Sequence, residues 1–322
     1  MTAYLGVDGG GTKTAFRLIN ERGETLAAST QPTSYYFGGG IGILERVLRD
    51  GVAEVTLEAG IRPEDIAHTF FGVPGYGEAS ADVPLVQGIA QSVLGHGRFT
   101  CGNDMLGGWA GSLGGGDGIN IIAGTGSMSY GERGGVSHRV GGWSEIFGDE
   151  GSGYWVGIRG LTLFSRMADG RSPRTLLYDA MRARLGISED LDAVGTVVGE
   201  WGGQRTAIAD LSKTVVGAAD AGDLAARAVL EQGADALVEL VSAARTALSY
   251  PDDEDVLVSY SGGMFSAPSY RSLFTHALHR AGAYTLIAPR YSPDLGSALY
   301  AMRCAGAVIP DALPAGEGSA GA

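Results

Sequence analysis

The stretch Leu5–Thr14, with the sequence LGVDGGGTKT, decides the fold. An apolar strand leads into a single carboxylate, Asp8, and a second strand, predicted for 14–19, leaves the glycine-rich turn that follows. Glycines in such a turn supply positive φ angles and let amide N–H groups approach an anion closely. Thr12 and Lys13 add a hydroxyl and an ammonium group, and Asp8 suits a hydrated Mg²⁺ better than a phosphate. The pattern predicts a hairpin that binds the phosphates of a nucleotide.

Two better-known phosphate-binding motifs do not fit this stretch. A Walker A loop needs its lysine directly after the second glycine and then a helix, whereas Thr12 follows Gly11 here and a strand comes next. A dinucleotide-binding fingerprint is excluded because it also needs a following helix. A glycine hairpin that only turns the chain is the simpler alternative for this stretch taken alone.

Composition narrows the class of protein. The chain has 322 residues, enough for two domains, and its 44% hydrophobic and 18% charged residues are typical of a well-buried globular protein. The net charge of −13 argues against nucleic acid or an anionic membrane as a partner. No apolar run approaches the ~18 residues of a membrane span, and the chain opens on a strand without a basic and apolar leader. We therefore expect a soluble, cytoplasmic protein.

A second glycine hairpin, 118–127, repeats the layout of the first. Its presence predicts two related domains that face one nucleotide. Between 150 and 250 the apolar spacing is helical, and strands return after that segment. We predict an N-terminal domain over 1–116, a C-terminal domain over 117–310 and a loose tail over 311–322. Packing of the last helix back onto the N-terminal domain is left open.

Several short motifs occur in one order along the chain: Val7–Lys13, Asn103–Asp104, Ala123–Ser127, Gly141–Trp143, Gly148–Ser152 and Ser261–Gly263. Together they resemble the eukaryotic-type N-acetylglucosamine kinases, within the BadF/BadG/BcrA/BcrD ATPase group of the sugar kinase, Hsp70 and actin superfamily. The resemblance covers residues 3–305. It implies an α/β, two-domain ribonuclease H-like fold (actin/hexokinase-like ATPase) with the active site in the interdomain cleft. It also implies a homodimer.

The resemblance implies a kinase that uses ATP and Mg²⁺ to phosphorylate the 6-hydroxyl of N-acetylglucosamine or glucosamine. Asp104 would be the general base and Asp8 would bind Mg²⁺, through water. The residues implied for ATP are Gly9, Gly10, Gly11, Thr12, Lys13, Thr125, Gly126, Ser127, Gly262, Gly263 and Met264. Those implied for the sugar are Ser34, Tyr35, Gly75, Tyr76, Asn103, Asp104, Gly142, Trp143 and Asp149. We further expect sugar binding to make the protein more compact, since closure of the two domains would expel water.

Each of these roles has a plainer alternative. Asn103 and Asp104 could cap the helix that follows them, and Asp149 could be a first-turn carboxylate that favours a helix dipole. Trp143 could be only core packing. Gly262–Gly263 could be a plain turn.

Two departures from the family pattern fall where the sugar should bind. The family usually places an asparagine after its third strand, where this chain has Ser34 and Tyr35, and its Ser-Gly-Gly loop is replaced by Pro74–Gly77. The 2-substituent, acetamido or free amino, is therefore left open. N-acetylmuramic acid, N-acetylmannosamine and glucose are the nearest alternative substrates.

Two alternatives belong to other functional classes. An ATP-hydrolysing activase of the same group would hold an iron–sulfur cluster through two central cysteines, and Cys101 and Cys304 do not match that arrangement. A sugar-sensing regulator that has lost catalysis is disfavoured because both hairpins, Asp8 and Asp104 are retained.

Overall fold

Both predicted glycine hairpins connect antiparallel strands inside five-stranded mixed sheets. The computed structural model describes residues 2–37, 39–310 and 313. The strands are β1 (Ala3–Gly9), β2 (Lys13–Asn20), β3 (Thr25–Pro32), β4 (His68–Gly72), β5 (Phe99–Gly102), β6 (Gly118–Ala123), β7 (Ser127–Arg133), β8 (Val136–Gly141), β9 (Val256–Ser261) and β10 (Tyr284–Ile287).

The helices alternate with strands near both ends of the chain and follow one another in its middle. They are α1 (Gly42–Ala59), α2 (Val83–Leu94), α3 (Met105–Leu113), α4 (Gly153–Ala168), α5 (Leu176–Leu185), α6 (Asp192–Val194), α7 (Arg205–Asp210), α8 (Ser212–Asp220), α9 (Leu224–Ala247), α10 (Pro268–Ala281) and α11 (Pro293–Cys304). A π-helical turn, Gly195–Glu200, follows α6.

The chain forms two compact units, the first comprising Met1–Asp117 with Ala288–Ala322 and the second comprising Gly118–Ile287. Residues 288–310, which the sequence assigned to the second domain with its last helix left open, group with the first unit. Of the tail predicted for 311–322, only Leu313 lies within the described residues, and it packs against α11 and its neighbours. No helix in the described part of the chain is long and apolar enough to cross a membrane.

The sheet of the first unit has the strand order β3-β2-β1-β4-β5. One face carries Val7 and Phe16 and is covered by α1 and α2, whose buried residues join the same apolar cluster. The other face is covered by α11, which lies so close to β1 that a Cβ atom on Gly6 would overlap the backbone nitrogen of Ala298. Since β1, β4 and β5 are parallel, their carboxyl ends meet at one edge of the sheet.

The sheet of the second unit repeats this plan, with the order β10-β9-β6-β7-β8. β6 pairs antiparallel with β7 and parallel with β9, as β1 pairs with β2 and β4. A large apolar cluster joins β6 and β9 to the helices of this unit, among them the long α9. Asp223 begins α9 by accepting hydrogen bonds from the amides of Ala225 and Ala226, which satisfies two donors that a helix N-terminus leaves unpaired.

Candidate active site

The first glycine turn is closed by a hydrogen bond of 2.8 Å from the amide of Gly10 to the carbonyl of Lys13. Residues 11–13 are exposed to solvent. The expected positive φ angles are absent from Gly9, Gly10 and Gly11. Space, not φ, explains the glycine at position 9. A Cβ atom there would lie 2.6 Å from both Pro74 and the hydroxyl of Ser34. Close packing of neighbouring loops, rather than backbone handedness, requires glycine at this position.

Asp8 is the next-to-last residue of β1 and lies in a cluster of charged side chains. It aligns with Gly72 in β4, and Gly72 aligns with Gly102 in β5, two residues before Asp104. A Cβ atom on Gly72 would lie 3.2 Å from the Cα atom of Asp104, so the glycine permits this close approach. Burial raises the pKa of Asp8 to about 7, the charges of Asp104 and Asp294 act in the same direction, and Lys13 opposes them. This edge of the sheet therefore concentrates negative charge.

Asn103 and Asp104 follow β5 and lead into α3. The side chain that caps this helix belongs to Asn103, whose Oδ1 accepts a hydrogen bond of 3.1 Å from the amide of Met105. The carboxylate of Asp104 makes no capping bond to the helix. Helix capping therefore accounts for Asn103 but not for Asp104. Asp104 instead contributes its charge to the cluster around Asp8.

The other residues assigned to the sugar in the first unit have different surroundings. Ser34 is buried, and its hydroxyl lies beside Gly9 without a hydrogen-bond partner. Tyr35 is 44% exposed, whereas the hydroxyl of Tyr76 accepts a hydrogen bond of 3.3 Å from Gln87 in α2. Gly75 has a φ of +78° and faces Phe37. Ser34 is therefore the member of this group that lies against the first hairpin with an unused polar atom.

The second glycine turn rests on the loop that precedes α4. The amide and hydroxyl of Ser127 donate to the carboxylate of Asp149, at 3.3 Å, and to the carbonyl of Glu150, at 2.6 Å. The carbonyls of Gly124 and Thr125 accept from the first amides of α4. The donors of Ser127 are thus engaged within the protein, while residues 124–126 stay partly exposed.

Asp149 is a buried carboxylate with a positive φ of 59°, so it lies outside any helical turn. Burial raises its pKa, although the charge of Arg205 and the amide of Ser127 act to lower it. Arg205 forms an ion pair with Asp149 and a second one, of 3.2 Å, with Glu145. Trp143 is 68% exposed, so its interpretation as core packing is wrong. Gly142, next to it, has a φ of +71°.

Gly262, Gly263 and Met264 follow β9 in the same unit. Gly262 has a φ of +99°, and a Cβ atom there would lie 2.7 Å from the amide nitrogen of Gly124 in the second glycine turn. Gly263 faces open space, but the side chain of Met264 is buried in the apolar cluster of the unit. The backbone of the two glycines, not the methionine side chain, is what this segment offers to a ligand.

The charged groups of the first unit suit a hydrated Mg²⁺. Among the described residues, no three His, Cys, Asp or Glu side chains are grouped to hold a metal ion directly. Mg²⁺ commonly keeps several waters and binds through one or two carboxylates together with substrate phosphates. The negative charge around Asp8 fits such an ion, held through water, better than an all-protein site.

Comparison with known proteins identifies the family. The profile of the BadF/BadG/BcrA/BcrD ATPase family matches residues 5–301. The chain belongs to this family. The N-acetyl-D-glucosamine kinase of Dictyostelium discoideum is 27% identical over 314 residues, which cover 93% of this chain and 97% of the relative. The N-acetylmuramic acid/N-acetylglucosamine kinase of Clostridium acetobutylicum is 28% identical over 271 residues, covering 84% and 88%.

Two further matches concern a glucosamine kinase and a solved structure. The glucosamine kinase of Vibrio cholerae is 27% identical over 194 residues, covering 60% of this chain and 64% of the relative. A crystal structure from Chromobacterium violaceum, described as a candidate N-acetylglucosamine kinase, superposes with a TM-score of 0.70 at 26% identity, covering 93% of this chain and 98% of the other. The two-domain actin/hexokinase-like fold expected from the motifs is confirmed.

Sequence reasoning missed several charged residues beside the predicted ones. Asp294 lies in the first turn of α11, near Asp8, and forms an ion pair of 2.7 Å with Arg17 in β2. Arg205 and Glu145 surround Asp149. The Ser-Pro-Asp order at 292–294 indicates a helix start, but no local pattern connects any of these residues to its partner.

Proposed function

We propose that this protein is an ATP-dependent amino-sugar kinase that phosphorylates the 6-hydroxyl of N-acetylglucosamine or glucosamine, with Asp104 as the general base. The observation that carries the proposal is the placement of Asp104 beside Asp8 at the carboxyl ends of parallel strands, in a chain that belongs to an ATPase family. In open α/β sheets, ligands bind at this edge. The relatives' names supply the substrate class, since each is a kinase of an amino sugar or its derivative.

Catalysis of phosphoryl transfer depends mainly on positioning the reactants and stabilising charge, and each candidate residue has one of these roles. Asp104 would accept the proton of the attacking hydroxyl. The exposed turn at 11–13 would bind phosphate oxygens in the first unit, and the partly exposed turn at 124–126 would do so in the second. Asp8 would hold Mg²⁺ through water, and that ion would neutralise charge on the phosphates. Ser34, with its unpaired buried hydroxyl, is the candidate sugar ligand next to the first hairpin.

The acetamido sugar is the better-supported substrate. The two relatives named for N-acetylated sugars cover 93% and 84% of this chain, against 60% for the glucosamine kinase. An activase that holds an iron–sulfur cluster through cysteines is disfavoured. Cys101 lies in β5 against the apolar side chains of the first unit, and burial raises the pKa of its thiol to about 12.

An assay of ADP release with Mg-ATP tests the proposal. The panel holds N-acetylglucosamine, glucosamine, N-acetylmuramic acid, N-acetylmannosamine and glucose, together with a control that lacks sugar. We expect release that depends on N-acetylglucosamine, and a phosphate on the 6-oxygen of the isolated product. We also expect Asp104→Asn to retain nucleotide affinity and lose at least ~100-fold in turnover, the usual worth of general-base help. Release that is independent of sugar would overturn the proposal, and near-normal turnover of Asp104→Asn would remove that residue from its role.

A further inference from the structure

The loop between β8 and α4 is held in an unusual conformation. It contains two non-glycine residues with positive φ angles, Ser144 at 78° and Asp149 at 59°. Such conformations are strained for residues other than glycine and persist only where the surroundings impose them. The loop also exposes the large apolar side chains of Trp143, Ile146 and Phe147. Apolar packing within the loop therefore does not account for its shape.

One side chain from outside the loop contacts it at two points. Arg205, the first residue of α7, forms ion pairs with Glu145 and with Asp149, which lie on either side of the exposed pair Ile146–Phe147. Its guanidinium group also lies against the second glycine turn, since a Cβ atom on Gly126 would overlap its Nη2 atom. The planar guanidinium can serve two carboxylates at once, which an ammonium group does less well.

We propose that Arg205 is a positioning residue that fixes the loop 142–149 against the second glycine turn and so orients the carboxylate of Asp149 toward the sugar. This inference rests on the proposed function and on Asp149 being a sugar ligand, as the family resemblance implies. Asp149 is 3% exposed and Arg205 is 42% exposed, so the ion pair joins a buried carboxylate to a cation at the surface. Removing the cation would leave the buried carboxylate without its main compensating charge.

The charges around Asp149 give the proposal a pH signature. Burial raises the pKa of this carboxyl, Glu145 acts in the same direction, and Arg205 and the amide of Ser127 oppose them. Without Arg205 the pKa would rise further, so Asp149 would stay protonated to a higher pH than in the wild type. The acid limb of kcat/KM for the sugar should therefore move to higher pH.

The test compares Arg205→Ala, Arg205→Lys and a control, Arg227→Ala, which removes an exposed ion pair with Glu231 on α9. In Arg205→Ala we expect hydrogen exchange in 142–150 to become at least ~10-fold faster and kcat/KM for the sugar to fall by ~10- to 100-fold, as misplaced contact groups typically cause. The KM for ATP should change little, and the acid limb should move up. Arg205→Lys should restore part of each effect, and Arg227→Ala should match the wild type.

Two failures can be told apart. Unchanged exchange in the loop together with an unchanged acid limb in Arg205→Ala would overturn the positioning role. Absence of sugar-dependent ADP release from the wild type would refute the proposed function, and loop exchange would then still decide whether Arg205 holds the loop. Peptides from β6 and α9 serve as the folding control, because a variant that exchanges faster there has lost its unit rather than its loop.

Discussion

Replacement of Asp8 by asparagine should stabilise the protein at neutral and basic pH. The substitution keeps the shape of the side chain and removes a negative charge that the folded state places near Asp104 and Asp294. Asp8→Asn would also remove the proposed ligand of the hydrated metal, so we expect the variant to lose activity while it gains stability. A trade of this kind is typical of a functional group held in an unfavourable environment.

The size and sign of the effect follow from the pKa of Asp8. Burial raises this pKa from 3.8 to about 7 in the folded protein, so the folded state binds a proton more tightly than the unfolded chain. Well below pH 3.8 the carboxyl is protonated in both states, and the wild type and the variant should be equally stable. As the pH rises to 7 the wild type loses free energy of unfolding relative to the variant, by up to about 4 kcal/mol. Solvent contact makes this an upper bound, because Asp8 is only partly buried.

Equilibrium urea unfolding at several pH values between 4 and 8 measures the difference, with a chelator present so that no divalent cation neutralises the cluster. Asp50→Asn, which alters an exposed carboxylate of the same unit, is the control, and its difference from the wild type should stay within ~0.5 kcal/mol. The difference for Asp8→Asn should grow with pH and level off above pH 7. A difference that is flat across this range, or one that grows toward acid, would refute the reasoning.

Two further predictions concern packing and thiol chemistry in the first unit. Gly6→Ala should destabilise the protein by at least ~1–3 kcal/mol, the usual cost of overpacking, because the added methyl group would overlap the backbone of α11. Gly88→Ala, in α2 with open space around the new methyl group, is the control and should stabilise by up to ~1 kcal/mol. Thermal unfolding of both variants checks this, and equal melting temperatures would contradict it. A thiol reagent at neutral pH should react quickly with exposed Cys304 and slowly with Cys101, whose pKa burial raises to about 12. Persistence of the fast phase in Cys304→Ser would contradict that assignment.

The regular parts of the fold can be predicted from the sequence because they depend on short-range patterns. The hairpins β1–β2 and β6–β7 follow from glycine turns between apolar strands. Edge strand β8 was missed, since its residues are polar or partly exposed and carry no apolar alternation. The helical spacing seen between 150 and 250 is interrupted at Leu211, between α7 and α8, because the carbonyl of Ile208 packs against Gly157 in α4 and accepts from the amide of Leu211 in a tighter turn. This break depends on packing between distant segments, which no local sequence pattern predicts.

The candidate site was predictable only where a residue follows a strand end or a glycine turn. Asp8 and Asp104 have that signal. Arg205 does not, since it is 56 residues from Asp149 and begins a short helix with no distinctive motif. Asp294 is 277 residues from its partner Arg17. Ion pairs between distant segments depend on the folded arrangement, and a single sequence carries no spacing rule for them.

The two units share a strand order but not a chemistry. If the last residue pairs of the two hairpins are matched, Gly9 with Thr14 and Ala123 with Ser127, the counterpart of Asp8 is Ile122. The second unit thus has an apolar side chain where the first has the carboxylate with the raised pKa, and the buried Asp149 of the second unit lies in a separate loop. The repeated strand order gives each unit a glycine turn, and both turns are proposed to contact phosphates, while the carboxylates proposed for the metal and for proton transfer lie in the first unit alone. We therefore expect substitutions at 124–126 to weaken nucleotide binding without moving the acid limb of turnover. Substitutions at Asp104 should move the acid limb without weakening nucleotide binding. An acid limb that moves with the second turn would show that the proton-transfer group has been assigned to the wrong unit.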